Sequence, residues 1–395
     1  MSAQEITVPA PADFHVHLRQ GKMSELVTPH VAEGGVSLAY VMPNLVPPIT
    51  STQQATEYLE SLRALAPKTK FVGTLYLSPA LTPAEIAKAA KNGVRGVKSY
   101  PRGVTTNSDS GIEDYETYYP IFEEMQKQDM ILNLHGEVPS NADAGICVLN
   151  AEEKFLTHLF KIHRQFPKLK IVLEHATTRK AVEAVKQCGD TVGCTITPHH
   201  LELIVDDWAG KPLNFCKPVA KYPDDRQALR DVVREGHPRF FLGSDSAPHP
   251  LANKYPSAVT HGAPGTKASA SGSDDLEPTG VVSCGCAAGV YTSSILVPLC
   301  ATLLEGFGAL DKLSNYVSIN GRKFYGYDDE EEVSQGSIKL RRVDNGSSSS
   351  STSAATVPAV YVHPEFREVP DSDGSKVQVV PFWAGKRLGW EIVRS

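Results

Sequence analysis

Asp13-Phe14-His15-Val16-His17-Leu18-Arg19 closes the first apolar run of the chain. On an extended segment the side chains of residues i and i+2 point to the same side, so both imidazoles can reach a single metal ion. A lone His-x-His also fits a surface or core coincidence, and its weight depends on what stands at the ends of the other runs. The first run covers 6–16, and seven more short β-branched and apolar runs follow at 36–42, 71–77, 94–99, 130–134, 171–173, 191–197 and 240–242. Segments with helical periodicity lie between them: 51–66, 83–91 behind Thr82, 114–128, 151–165 behind Asn150 as an N-cap, 178–187 and 224–234. Strands alternating with helices over 6–249 predict a (β/α)8 TIM barrel, a fold of about 250 residues. A doubly wound open sheet is the rival reading.

The ends of the other runs favour the barrel. The fourth ends in Val97-Lys98-Ser99, the fifth in Leu134-His135-Gly136, the sixth in Glu174-His175-Ala176 and the eighth in Gly243-Ser244-Asp245-Ser246. In a barrel all of these project at the C-terminal mouth, where catalytic groups of this fold are placed. His15, His17, Lys98, His135, His175 and Asp245 hold more imidazoles than an acid–base pair needs, and they suit two divalent cations. Zinc is the first choice for nitrogen and oxygen donors without thiolate. An ammonium would repel cations, but burial drives a lysine toward the neutral amine. A neutral amine can take up CO2 and become a carbamate whose two oxygens bridge both metals. Taken alone, Lys98 also reads as an interior lysine paired with a carboxylate.

Composition sets outer limits. The 395 residues are 41% hydrophobic and 21% charged, which excludes disorder, collagen and a disulfide-stapled miniprotein. Thirty-nine Lys and Arg against 45 Asp and Glu leave a formal charge of -6, so no global positive field exists to hold nucleic acid or an anionic membrane. Seven cysteines form an odd, sparse set, and the opening Met-Ser-Ala-Gln-Glu-Ile-Thr has neither a basic nor an apolar leader; a reduced, cytoplasmic protein is expected. Residues 278–304 carry no charge, but Pro298 and many Gly, Ser and Thr argue for a buried helix lying against the site over a membrane span. The chain reads as one domain, 1–395. It divides into barrel strands over 6–249, an insertion at 250–280, closing helices at 281–326, a Ser-rich linker at 346–356, and a packing segment at 357–395 around Phe382, Trp383 and Trp390.

Several motifs together resemble the amidohydrolase superfamily and, within it, the dihydroorotase family of the single-function bacterial and fungal type. They are the stretch from Asp13 to Arg19, Met42-Pro43-Asn44, Val97-Lys98-Ser99-Tyr100-Pro101, Leu134-His135-Gly136-Glu137-Val138, Leu173-Glu174-His175, Thr197-Pro198-His199-His200-Leu201, Gly243-Ser244-Asp245-Ser246-Ala247-Pro248-His249 and Cys284-Gly285-Cys286-Ala287. The match runs from about residue 12 to 326, with a weaker echo at 380–385. The resemblance implies two Zn2+ per chain: His15, His17 and Asp245 on one, His135 and His175 on the other, and Lys98, as N6-carboxylysine, bridging both. It also implies reversible cyclisation of N-carbamoyl-L-aspartate to L-dihydroorotate, the third step of pyrimidine synthesis. A hydroxide bridging the zinc ions would attack the cyclic amide, and Asp245 would act as the catalytic proton carrier.

Arg19, two residues beyond His17, offers a bidentate fork for the substrate carboxylate, with Asn44 and His249 beside it. The same resemblance adds His135, Thr105 and Thr106 on a lid at 101–112, and the backbone at Lys217 and Ala287. It favours a homodimer acting on a small molecule, with neither nucleic acid nor membrane as partner. Blander readings stay open: Arg19 as a surface ion pair, Asn44 as a turn residue, His249 as a loop residue, 101–112 as an inert loop. His199 and His200 read as supporting or structural groups behind a filled metal shell, and Cys284-Gly285-Cys286 as small residues at a packed helix start. Another cyclic-amide hydrolase, a hydantoinase or allantoinase, is the nearest alternative. An inactive scaffold would be expected to lack some of the six ligands. The insertion makes Ala287 the least secure contact.

Overall fold

The computed structural model describes residues 4–108, 111–112, 114–255, 286–343, 356–369 and 376–394. The insertion at 250–280 beyond Tyr255, the Ser-rich linker up to residue 355, and Cys284 lie outside the described residues.

Eight parallel strands form one sheet in strict chain order. They are β2 (Ala12–Val16), β3 (Leu38–Val41), β4 (Lys70–Tyr76), β5 (Gly96–Ser99), β6 (Ile131–His135), β7 (Lys170–Glu174), β8 (Val192–Ile196) and β9 (Phe240–Leu242). The sheet closes at its mouth. Val16 bridges Ser246 in parallel, His17 N donates to Ser246 O (3.1 Å), and Asp245 N donates to His15 O (2.8 Å). This is the (β/α)8 barrel that the alternation predicts.

The first apolar run is not one strand. Its opening part, β1 (Glu5–Val8), leaves the barrel and pairs antiparallel with β10 (Ile338–Arg342). Pro9 and Pro11 break the run because neither has an N–H to give to a ladder. A short pair, β11 (Tyr361–Val362) and β12 (Gln378–Val379), follows, and β13 (Trp390–Ile392) completes the β1–β10 sheet. Trp390 is fully buried there and donates from Nε1 to Glu305 Oε2 (3.1 Å).

Local chemistry explains the helix starts. Ser51 caps Thr52–Leu65 with a reciprocal capping box to Gln54, while Thr82 and Thr178 cap Pro83–Lys91 and Arg179–Cys188. Asn150 does not cap Ala151–Gln165 as expected, because its Oδ1 accepts from Cys147 N (2.9 Å) in the preceding turn. The uncharged run also differs from expectation. Its first described part, 286–292, is not helical. A 3-10 turn, Ser293–Ile295, leads into a buried helix, Leu296–Gly306, and it is the non-helical part that reaches the mouth. No helix among the described residues is long and apolar enough to cross a membrane.

Inside the barrel, Phe14, Tyr40, Ile131, Val172 and Phe241 pack with Tyr325 from the helix Asn320–Tyr325, which stoppers the floor. Phe14 stacks on Tyr325 at 4.5 Å between centroids. The β2–β3 register shifts between Asp13 and Val16, a bulge that lets Phe14 join this cluster and His15 still face the mouth. Gly96 is a tight point of the interior. A Cβ there would meet Tyr40 Oη at 2.0 Å, Ile131 O at 2.6 Å and Asn133 Oδ1 at 2.8 Å. Gly96→Ala should therefore cost about 1–3 kcal/mol of stability through overpacking, read as a lower urea midpoint. An unchanged midpoint would contradict this packing.

Candidate active site

Alternation along the strands builds the site. Lys98 stands two residues after Gly96 on β5, His135 two after Asn133 on β6, and Glu174 two after Val172 on β7, so each faces the barrel interior. His175 would point outward on an extended chain. Its φ of 42° instead turns it toward the other histidines, and Asp245 (φ 44°) and Arg19 (φ 56°) share this left-handed backbone. Three non-glycine residues with such φ at one mouth is the clustering of backbone strain found at functional sites.

The six ligand-type side chains come together, all of them buried. His15 gives Nδ1 to Glu174 Oε2 (2.7 Å), leaving Nε2 3.5 Å from Asp245 Oδ1. His17 bonds Asn44 Oδ1 through Nδ1 (2.8 Å) and Asp245 Oδ1 through Nε2 (3.1 Å). The ligand atoms of His15, His17 and Asp245 lie within 4.8 Å of one another. The His175 ring sits 5.0 Å from that of His15 and 4.8 Å from that of His135. His135 is fixed by Glu137 Oε2 at Nε2 (2.9 Å). Lys98 Nζ is fully buried with no hydrogen-bond partner, 4.8 Å over the Tyr100 ring, and His175 Nδ1 is likewise unpartnered.

Electrostatics follow from burial. It pushes the Lys98 amine down to about 8 and holds His15, His135 and His175 below their ordinary range, so these imidazoles are neutral. Burial alone would raise Asp245, but the hydrogen bond from His17 and the pull of the surrounding His15, His17 and Lys98 outweigh it and bring the carboxyl to about 2.

A cavity opens above these groups. Arg19, Asn44, Thr105, Thr106, His135 and Lys217 line it. His249 stands in the adjoining outer cleft and touches Arg19 at 3.1 Å, while Arg19 Nε is fixed by Pro248 O (2.9 Å). Asn44 Nδ2 donates to Thr106 O (3.1 Å), which ties the 101–108 loop to the cavity wall. Ala287 is the exception: its N–H goes to Asn253 O (2.9 Å), and Ala288 and Gly289 line the cavity in its place. His199 and His200 are buried away from the wall.

Sequence reasoning missed Asn133, Glu174, Lys254 and Glu137, which holds His135. Asn133 and Glu174 form a polar chain from the floor to the site. Tyr40 Oη donates to Asn133 Oδ1 (2.8 Å), Asn133 Nδ2 to Glu174 Oε1 (2.6 Å), and Glu174 in turn holds His15. Strict alternation on β6 and β7 was the available signal. Lys254 had none. Its buried ammonium donates to Phe215 O (3.0 Å), Ala287 O (2.9 Å) and Gly289 O (2.8 Å), pinning the 286–289 segment beside Lys217.

Comparison with known proteins fits this geometry. The amidohydrolase family model matches residues 6–330, and the chain belongs to that family. It is 90% identical over 395 residues to a dihydroorotase of Mycosarcoma maydis, with all of both chains covered. It is 43% identical to the dihydroorotase of Saccharomyces cerevisiae, covering 98% of each. The crystal structure of dihydroorotase from Saccharomyces cerevisiae in complex with 5-fluoroorotic acid superposes with a TM-score of 0.82 at 42% identity, covering 99% of this chain and 98% of that one. Within the amidohydrolases the chain therefore groups with the dihydroorotases, hydrolases of a cyclic amide.

Lys254→Met would leave the Ala287 and Gly289 carbonyls without their donor, while Phe215 O would keep the Gly289 N–H. Hydrogen exchange at the Ala287 and Gly289 amides should then speed up more than at the β6 amides. Uniform protection in both would contradict the clamp.

Proposed function

We propose that this chain interconverts N-carbamoyl-L-aspartate and L-dihydroorotate. The observation that carries the reading is the convergence of His15, His17, Lys98, His135, His175 and Asp245 beneath a cavity bordered by Arg19. The donor set fits two zinc ions: His15, His17 and Asp245 would hold one, His135 and His175 the other. Lys98, carboxylated, would serve both. The unpartnered Lys98 amine and His175 nitrogen are the groups such occupancy would satisfy. Bound there, the ions would lower the pKa of water and polarise the amide carbonyl.

The chain's own residues do the rest. Arg19 and Asn44, with His249 behind Arg19, would grip the ring carboxylate and set the reacting carbonyl over the histidines. Thr105 and Thr106 would close over it, with backbone groups at Lys217 and at Ala288 or Gly289 as the far wall. In hydrolysis Asp245 takes the proton from the attacking water and returns it to the ring nitrogen as the C–N bond breaks; in cyclisation the roles reverse. Glu174, Asn44 and Glu137 hold His15, His17 and His135 in the tautomers that leave the opposite nitrogen for metal. The six described cysteines are all free, which supports a reducing, cytoplasmic setting. We propose a homodimer on resemblance alone, with a small molecule as the only other partner.

The direct test is turnover of dihydroorotate and of N-carbamoyl-L-aspartate by the purified protein, followed by ultraviolet absorbance. No turnover of either by zinc-loaded protein would sink the reading. Arg19→Ala is expected to raise KM for N-carbamoyl-L-aspartate about tenfold or more, the worth of a charge-assisted bond, at unchanged zinc content; an unchanged KM would remove Arg19 from the clamp. Glu174→Ala should weaken zinc retention by about 10–100-fold in chelator competition. Wild-type retention would show that His15 needs no partner.

A further inference from the structure

Away from the mouth cavity, His199, His200 and Cys216 form a second cluster of ligand-type atoms, within 4.8 Å of one another and all buried. Its members come from two separate loops, the turn after β8 and the segment before Lys217. Both ring nitrogens of His199 lack any hydrogen-bond partner, although the side chain is fully buried. A buried imidazole with neither nitrogen satisfied calls for an occupant.

The other two residues are already aimed. His200 Nδ1 meets Thr197 Oγ1 at 2.8 Å, and its Nε2 lies 3.0 Å from Pro218 O and 3.6 Å from Cys216 Sγ. Cys216 Sγ is 3.2 Å from the same carbonyl. Without a metal, both the imidazole Nε2–H and the thiol can donate to Pro218 O. With the ring proton moved to Nδ1 and given to Thr197, Nε2 becomes a free donor atom beside the sulfur. A ligand histidine whose other nitrogen is fixed by an oxygen is the usual arrangement at metal sites.

We propose that His199, His200 and Cys216 form a third metal site, for a thiophilic transition-metal ion of the zinc class. Two imidazoles and one thiolate suit such an ion and are poor ligands for magnesium or calcium. Burial pushes the Cys216 thiol up to about 12, so binding must displace its proton: the S–H bond breaks, the sulfur–metal bond forms, and the proton leaves to solvent. No electron changes hands. The thiolate also offsets charge near the Lys254 ammonium, which faces this cluster. An ion here would cross-link the turn after β8 to the segment that carries Lys217 into the cavity wall.

The donor set of the mouth contains no sulfur, which separates this proposal from the two-metal reading. Cobalt(II) is the probe. Titrated anaerobically into the full chain, it should bind to a third equivalent with a sulfur-to-cobalt charge-transfer band in the near ultraviolet. The band should vanish in Cys216→Ser, weaken in His199→Gln and persist in Cys286→Ser and Cys147→Ser. Release of one proton makes the apparent affinity of this equivalent rise about tenfold per pH unit. Absence of a sulfur band at three equivalents would overturn the site, as would a band that survives Cys216→Ser. Should Cys216→Ser not fold, the His199→Gln arm decides: an undiminished band there overturns the proposal.

Discussion

A barrel interior that keeps an amine, four imidazoles and the carboxylates around them out of water is the constraint on which the rest of this structure depends. Neutral imidazoles are tolerable there because partners fix them, His15 by Glu174, His17 by Asn44 and His135 by Glu137. Lys98 has no such partner. An unpaired buried ammonium is costly, and the lysine lowers the cost by giving up its proton more readily, down to about 8. The neutral fraction that this raises is the form that reacts with CO2. The same burial would account both for a lysine among the proposed metal ligands and for its proposed chemistry.

Barrel closure turns this interior into a site. The hydrogen bonds that join the end of β2 to the end of β9 run through His15, His17, Asp245 and Ser246. The residues that shut the sheet are therefore the ones that face each other across the mouth. Ser246 extends the same joint, since its Oγ accepts from Thr292 N and Ser293 N and so anchors the segment running on from Ala288 and Gly289. Arg19, two residues beyond His17, then reaches Pro248 and His249 on the other side of the joint. Stability and site geometry share the same few bonds, which leaves little freedom for one to vary without the other.

Much of this was legible in the sequence because its signals are local. Ser51, Thr82 and Thr178 announce helix starts through side-chain bonds that span three residues, and the alternating strands and helices gave the barrel and its mouth. The losses have physical reasons. The run at 6–16 reads as one strand until the prolines at 9 and 11 are counted against the ladder. Asn150 looks like a cap, but its oxygen is taken by the turn before it. His175 reaches the other histidines only through a left-handed backbone that no pattern shows. Lys254 is one lysine among many until the fold brings three carbonyls to it. Glu174 was within reach, since alternation places it inward beside Val172.

We propose that the buried, unpartnered amine of Lys98 is a carbamate in the metal-loaded protein. Carbon-13 NMR of the protein reconstituted with zinc and labelled bicarbonate tests this most directly. The account predicts one carbamate carbonyl resonance per chain, absent in Lys98→Arg and lost on removal of zinc with chelator. Full zinc occupancy and turnover with no carbamate resonance would contradict it.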